Sequence, residues 1–143
     1  MFSRIDDDGW MHSGDIAVID EDGYANITGR VKDMIVRGGE NVYPAEIEGY
    51  LYQHPSVQEV QVFGIPDQTF GEEVCAWIVL KDGVATSEED IIAFCKHEIA
   101  HYKIPHYIQF HKELPMTITG KPQKFKMAES MIRQLGIEKI ATA

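Results

Sequence analysis

Apolar and polar positions alternate on both sides of Asp22-Gly23, in "IAVID" and "YANITG". Side chains along a strand point to opposite faces in turn, and an Asp-Gly pair closes a tight turn, so Ile16–Gly29 is predicted to be a β-hairpin. "MIVRGGENVY" (Met34–Tyr43) predicts a second hairpin around Gly38-Gly39. A helix then starts at Pro44, which suits a first turn because its missing N–H would have no partner there. Ile47, Tyr50 and Leu51 give this helix one apolar face, and His54-Pro55 ends it. "VQEVQVFGI" (Val57–Ile65) alternates like a half-buried strand. "VCAWIVL" (Val74–Leu80) is almost wholly apolar, the pattern of a strand buried on both faces. Asp82-Gly83 forms a turn.

Thr86 with Glu89 three residues on predicts a capping box. The helix behind it is expected to run to about Ala100. "YIQF" (Tyr107–Phe110) predicts a short strand, and a loop leads from Lys112 to Pro122. Phe125, Ala128, Met131, Ile132 and Leu135 recur at helical spacing in a last helix, with Gly136 as its stop. Hairpins followed by β/α alternation predict an α+β fold, a small β-sheet flanked by helices, compact after about residue 33.

The composition changes little in this picture. A chain of 143 residues can bury one real core, and 44% hydrophobic with 25% charged residues is ordinary for a globular domain. No apolar run approaches membrane-spanning length, so no integral membrane segment is expected. The opening "MFSRIDDDG" lacks a signal-peptide core. Cys75 and Cys95 are too few for a disulfide framework, which predicts a reduced, cytoplasmic protein. The net charge of -10 argues against nucleic acid as a partner. Charge is also uneven: residues 1–111 hold 7 Lys/Arg against 20 Asp/Glu, whereas residues 112–143 hold 6 against 3. A basic C-terminal piece suits a small phosphorylated ligand, and equally a solvated helix face.

"HEIAH" (His97–His101) fits the zinc-hydrolase signature H-E-x-x-H, which needs two imidazoles one helical turn apart and a carboxylate as general base. On a continuing helix, Ile91, Ile92, Cys95, Ile99 and Tyr102 form the apolar side. His97 and His101 then face solvent, and a third ligand is available only by default from Glu113 or Glu129. No metal site is expected.

Three other stretches can carry chemistry. "GWMHSGD" (Gly9–Asp15) puts a carboxylate after a Ser-Gly turn, where it can accept hydrogen bonds from two ribose hydroxyls or simply cap the turn. "GRVKDMIVRGGENVYPAEIE" (Gly29–Glu48) places Arg30 at a hairpin end, within reach of a ribose, a phosphate or solvent. Its Gly38-Gly39 pair lets backbone lie against a thin ligand, or serves only to close a hairpin. "PMTITGKPQK" (Pro115–Lys124) carries Lys121 on a glycine-hinged loop, where an ammonium can reach a phosphate or carboxylate. It is not a P-loop: Pro115 stands five residues before Gly120, and Pro122 follows the lysine.

In order and spacing, "KDMIVRGGENVYPAEIE", "HPSVQEVQVFGIPD", "GEEVCAWIVL" and "TITGKPQKFKM" resemble the C-terminal part of the adenylate-forming superfamily. Acyl-CoA synthetases, peptide-synthetase adenylation domains and luciferases belong to it, and the likeness is closest to medium-chain fatty acyl-CoA synthetases. The resemblance implies two steps: ATP and a carboxylate give an acyl-adenylate and pyrophosphate, and the CoA thiol then displaces AMP. It implies that Asp15 and Arg30 contact ATP or AMP and that Lys32 is the hinge of domain rotation. Lys121 becomes the adenylation lysine, and Gly38, Gly39 and Glu40 line the pantetheine path of CoA. It divides the chain into 1–32, the tail of a large AMP-binding domain, and 33–143, the C-terminal domain. Partners follow: the large domain, which would hold most of the ATP and its Mg2+, a fatty or other carboxylic acid, and CoA. Pro122 departs from the family pattern, in which a branched aliphatic residue often follows the lysine. The absence of the large domain implies a fragment or a split or truncated gene, inactive alone. The alternative is a free-standing, non-catalytic module that binds a partner or nucleotide.

Overall fold

A computed structural model describes residues 7–10 and 14–137. The elements run β1 (Asp15–Ile19), β2 (Ala25–Arg30), a 3-10 turn (Val31–Asp33), β3 (Ile35–Arg37), β4 (Glu40–Val42) and α1 (Pro44–Leu51). Then follow β5 (Val57–Asp67), β6 (Gly71–Leu80), α2 (Glu88–Cys95), a 3-10 turn (His101–Lys103), β7 (Tyr107–Phe110) and α3 (Lys124–Leu135). The fold is α+β, as the sequence pattern predicts.

β1 and β2 pair antiparallel as one hairpin, and β3 and β4 as another. The third sheet has the order β5-β6-β7. Its first pair is a long antiparallel hairpin, and β7 joins β6 in parallel after the crossover through α2. A parallel neighbour needs such a crossover, because a short turn can only reverse the chain.

β6 explains the layering. Alternate residues Val74, Ala76 and Ile78 enter a core shared with β3, β4, α1 and α2. Cys75, Trp77 and Val79 point to the opposite side, into a core shared with α3 through Met127 and Met131. From Val74 to Leu80 the middle strand is therefore apolar at every step, since both its faces are covered. α1 has Pro44 in its first turn, buries Ile47 and Leu51, and ends ahead of His54-Pro55. α3 stops at Gly136, whose φ of 64° is the left-handed cap that glycine adopts without a Cβ penalty.

Three local expectations are corrected. The capping box before α2 uses Ser87 and Asp90, one residue later than Thr86 and Glu89: Ser87 Oγ accepts from the Asp90 N–H, and Asp90 Oδ2 accepts from the Ser87 N–H. α2 stops at Cys95 rather than near Ala100, and His97 takes a left-handed φ of 68°. On α3, Phe125 and Leu135 are exposed, and the buried ridge is Met127 and Met131, one helical turn apart.

Candidate functional site

The loop that carries Lys121 holds itself in shape. Residues 117–120 form a turn in which the Gly120 N–H donates to the Thr117 carbonyl at 2.9 Å. Gly120 has φ +84°, a conformation open to glycine and strained for other residues. The Thr117 N–H donates to the Lys121 carbonyl at 2.8 Å, and the Lys121 N–H donates to Thr117 Oγ1 at 3.0 Å. Met116 and Pro122 pair as an antiparallel bridge around this turn. Pro122 thus fixes the backbone directly after the lysine. The loop backbone is set, while the Lys121 side chain is exposed and Ile118 at the tip is wholly in solvent.

Lys121 opens onto a cleft of about 760 Å³. The loop, the start of α3, β5 and the segment between β2 and β3 form its walls, and Arg30 and Lys32 line it together with Lys121. The cationic lining side chains Arg30, Lys32, Lys121 and Lys124 outnumber the carboxylates Asp33 and Glu72. Lys124 is paired with Glu48 at 3.1 Å, and Glu72 accepts the Val36 N–H at 2.7 Å. The cleft therefore combines a cationic surplus with apolar walls such as Phe63 and Phe125, which suits a flat organic anion. Basic residues scattered in sequence converge here although the chain as a whole is acidic.

Gly38, Gly39 and Glu40 do not line this cleft. Gly38 and Gly39 form a two-residue turn between β3 and β4, with φ of 58° and 84°. Two successive positive φ values belong to the turn that matches strand twist, and they call for glycine. Asp15 opens β1; its side chain, and Ser13 before it, lie outside the described residues. Lys32 sits in the 3-10 turn between β2 and β3 and is exposed.

His97 and His101 face solvent as expected, but the helix assumed to carry them does not continue that far. His97 lies in left-handed backbone beyond α2, and His101 starts a separate 3-10 turn. The helical turn that would align two imidazoles does not form. Both histidines are exposed. Nor is either thiol a nucleophile near neutral pH. Burial pushes Cys95 up to about 11 and raises Cys75 as well, the latter with a contribution from Glu73.

The sequence gives no sign of one cluster. Arg37 Nε donates to Glu73 Oε1 at 2.7 Å, and its guanidinium lies 3.9 Å from the centre of the Phe70 ring. These residues meet because β3 packs on the start of β6. No local pattern announces a contact across 36 residues.

The family described as AMP-binding enzyme C-terminal domain matches residues 46–121. The YngI protein of Bacillus subtilis is 56% identical over 93% of this chain, which spans 24% of that protein. The mitochondrial medium-chain acyl-CoA ligase ACSF2 of Homo sapiens is 55% identical over 93% of the chain, here 22% of its length. The chain thus spans about a quarter of the length of the curated relatives it matches. Among solved structures, ATP-bound MatB from Rhodopseudomonas palustris superposes with a TM-score of 0.82 at 38% identity, over 90% of this chain and 25% of that one. With the fold and the family match in agreement, the chain belongs to the AMP-binding enzymes, as their C-terminal domain.

Proposed function

We propose that this domain serves an ATP-dependent acyl-CoA synthetase by supplying Lys121 to the adenylation step and the Gly38-Gly39-Glu40 turn to the CoA step. The observation that carries the reading is the cleft in which Lys121, Arg30 and Lys32 face one volume. In the first step a carboxylate oxygen attacks the α-phosphorus of ATP and pyrophosphate leaves. Two anions approach, and negative charge gathers where they meet. An ammonium between them is most valuable at the transition state, which is how a fixed charge lowers a barrier. The exposed side chain of Lys121 is free to extend there, while the Thr117 contacts keep its backbone from drifting. Arg30, with Asp15, takes the nucleotide side. In the second step the CoA sulfur attacks the acyl carbonyl, the bond to AMP breaks, and the thiol proton is lost.

Most contacts to ATP, Mg2+ and the fatty or other carboxylic acid belong to a large domain in this reading, and Lys32 is the pivot between the two steps. The boundary is proposed at residues 32 and 33. The isolated chain is inactive, and its compartment is the cytoplasm. No helix among the described residues is long and apolar enough to cross a membrane.

The test is ATP–pyrophosphate exchange driven by a medium-chain acid. The chain alone should give none, and the chain joined to a large domain of the family should give exchange that Lys121→Ala removes. Exchange by the chain alone, or exchange indifferent to Lys121, overturns the proposal.

A further inference from the structure

The Gly38-Gly39 turn is gripped from below by groups far away in sequence. The grip starts at Asp67, whose Oδ2 accepts the N–H groups of Thr69 and Phe70 at 3.0 and 2.8 Å. This side-chain turn fixes the β5–β6 connection and sets the position of Phe70. The Phe70 carbonyl then accepts the Gly38 N–H at 2.8 Å. The Phe70 ring lies under the Arg37 guanidinium, 3.9 Å from its centre. Glu73 takes Arg37 Nε at 2.7 Å and is almost completely buried. Glu72 takes the Val36 N–H at 2.7 Å. A Cβ on Gly38 would stand 3.3 Å from Phe70 Cδ1, so the ring also abuts the turn from the side.

A two-residue hairpin needs none of this to close. From that surplus we infer that Arg37 and Phe70 are positioning residues for the CoA step. They hold the Gly38-Gly39 backbone at a fixed height and angle, so that it lines the path of a thin, flexible thiol-bearing arm. The inference rests on the proposed role of the turn. A planar guanidinium suits the task because it can stack on a ring and donate a directed hydrogen bond to a carboxylate at once. A lysine can keep the ion pair but cannot stack as a plane. Small misplacements of reacting groups are costly, which gives a clamp outside the reacting centre its value.

The test has two arms. In the 143-residue chain, hydrogen exchange at the Gly38 amide reports the clamp itself. Arg37→Met should speed that exchange, and Arg37→Lys should restore only part of the protection. Phe70→Leu, which leaves the Arg37–Glu73 pair in place, should speed it too and guards against a misfolded methionine variant. In the full-length enzyme that carries this domain, Arg37→Met and Phe70→Leu should slow thioester formation from preformed acyl-adenylate on the order of tenfold. Adenylate formation should stay unchanged. Gly39→Val is the reference for the turn. If it slows the thioester step while both clamp variants leave that step intact, the positioning role is wrong and the CoA-facing reading survives. If Gly39→Val leaves the step intact, the CoA-facing reading fails and the positioning role with it. Unchanged Gly38 exchange in both clamp variants overturns the clamp.

Discussion

The Lys121 loop and the Gly38-Gly39 turn are both short, glycine-bearing and exposed, yet they are held in opposite ways. The Lys121 loop is self-contained: its backbone bonds run from Thr117 to Gly120 and Lys121, with a bridge from Met116 to Pro122. The Gly38-Gly39 turn is held from outside by Phe70, Arg37, Glu72 and Glu73, all but Arg37 from the β5–β6 hairpin. The difference matches the two tasks proposed for them. A single long ammonium needs a steady base and a mobile end. A strip of backbone that lines a ligand path has no mobile end, so its whole position has to be fixed by its surroundings. Damage to the first should therefore stay local to chemistry, while damage to the second should spread into the fold.

The largest effect is expected from Lys121→Ala in the full-length enzyme. Acyl-adenylate formation should fall at least a hundredfold, on the order of 3 kcal/mol of lost transition-state stabilisation. Thioester formation from preformed adenylate should stay near wild type, and Lys121→Arg should not rescue, since a planar fork does not replace a point charge. Equal loss in both half-reactions would dissolve the contrast between the two loops. At the other site, Glu73→Ala should cost stability in the isolated chain. It leaves the Arg37 charge, which is largely buried, without its partner, and chemical denaturation should show a loss of about 3 kcal/mol. A loss below about 0.5 kcal/mol, the size of an ordinary surface change, would mean that β6 does not grip the turn.

A third substitution probes what lies between the loops. Lys32 sits in the 3-10 turn that joins the β1–β2 hairpin to the rest. Lys32→Pro fixes φ there and restricts Val31 before it. If the segment is a pivot, thioester formation should slow about tenfold or more while adenylation changes little, because only one of two orientations is obstructed. Equal slowing would make Lys32 an ordinary cleft residue, in keeping with its place in the same cleft as Lys121.

The contrast between the loops also marks what could be read from sequence. Both turns were legible, because glycine at positive φ is a local demand that the residue type advertises. The Val74–Leu80 run of β6 was legible for a related reason, as it is covered on both faces and has no polar step. The end of α2 was not. Ile91, Ile92, Cys95, Ile99 and Tyr102 keep a helical period through a segment that is no longer helical, and all five still pack on one core. Apolar spacing recorded their common destination rather than their backbone. The same limit hid Met127: Phe125 and Leu135 fit the helical period, but only the contact with β5 and β6 decides which ridge is buried. The Arg37–Glu73–Phe70 cluster was the least legible, since it depends on how one hairpin docks on another. The convergence of Arg30 and Lys121 was implied only by family likeness, which gave Lys32 as a hinge and not as a cleft residue; no spacing rule connects positions 30 and 121.

The smallest effect should come from the residue that keeps the Lys121 loop self-contained. Thr117 Oγ1 accepts the Lys121 N–H at 3.0 Å and lies 3.0 Å from Thr119 Oγ1. Thr117→Val keeps the branched shape and removes the acceptor. The freed N–H is at an exposed site and can turn to water, so no buried group is stranded. Stability of the chain should then change by no more than about 0.5 kcal/mol, as for a surface substitution. Adenylation should drop about fivefold, the equivalent of one net hydrogen bond of ~1 kcal/mol spent on aiming the lysine. Thr117→Ser should recover most of it, because the hydroxyl returns, and the thioester step should not respond to either variant. A different result is informative in a definite way. If Thr117→Val lowers stability by about 2 kcal/mol or more, the loop is tied to the core after all, as the Gly38-Gly39 turn is, and the two are held alike.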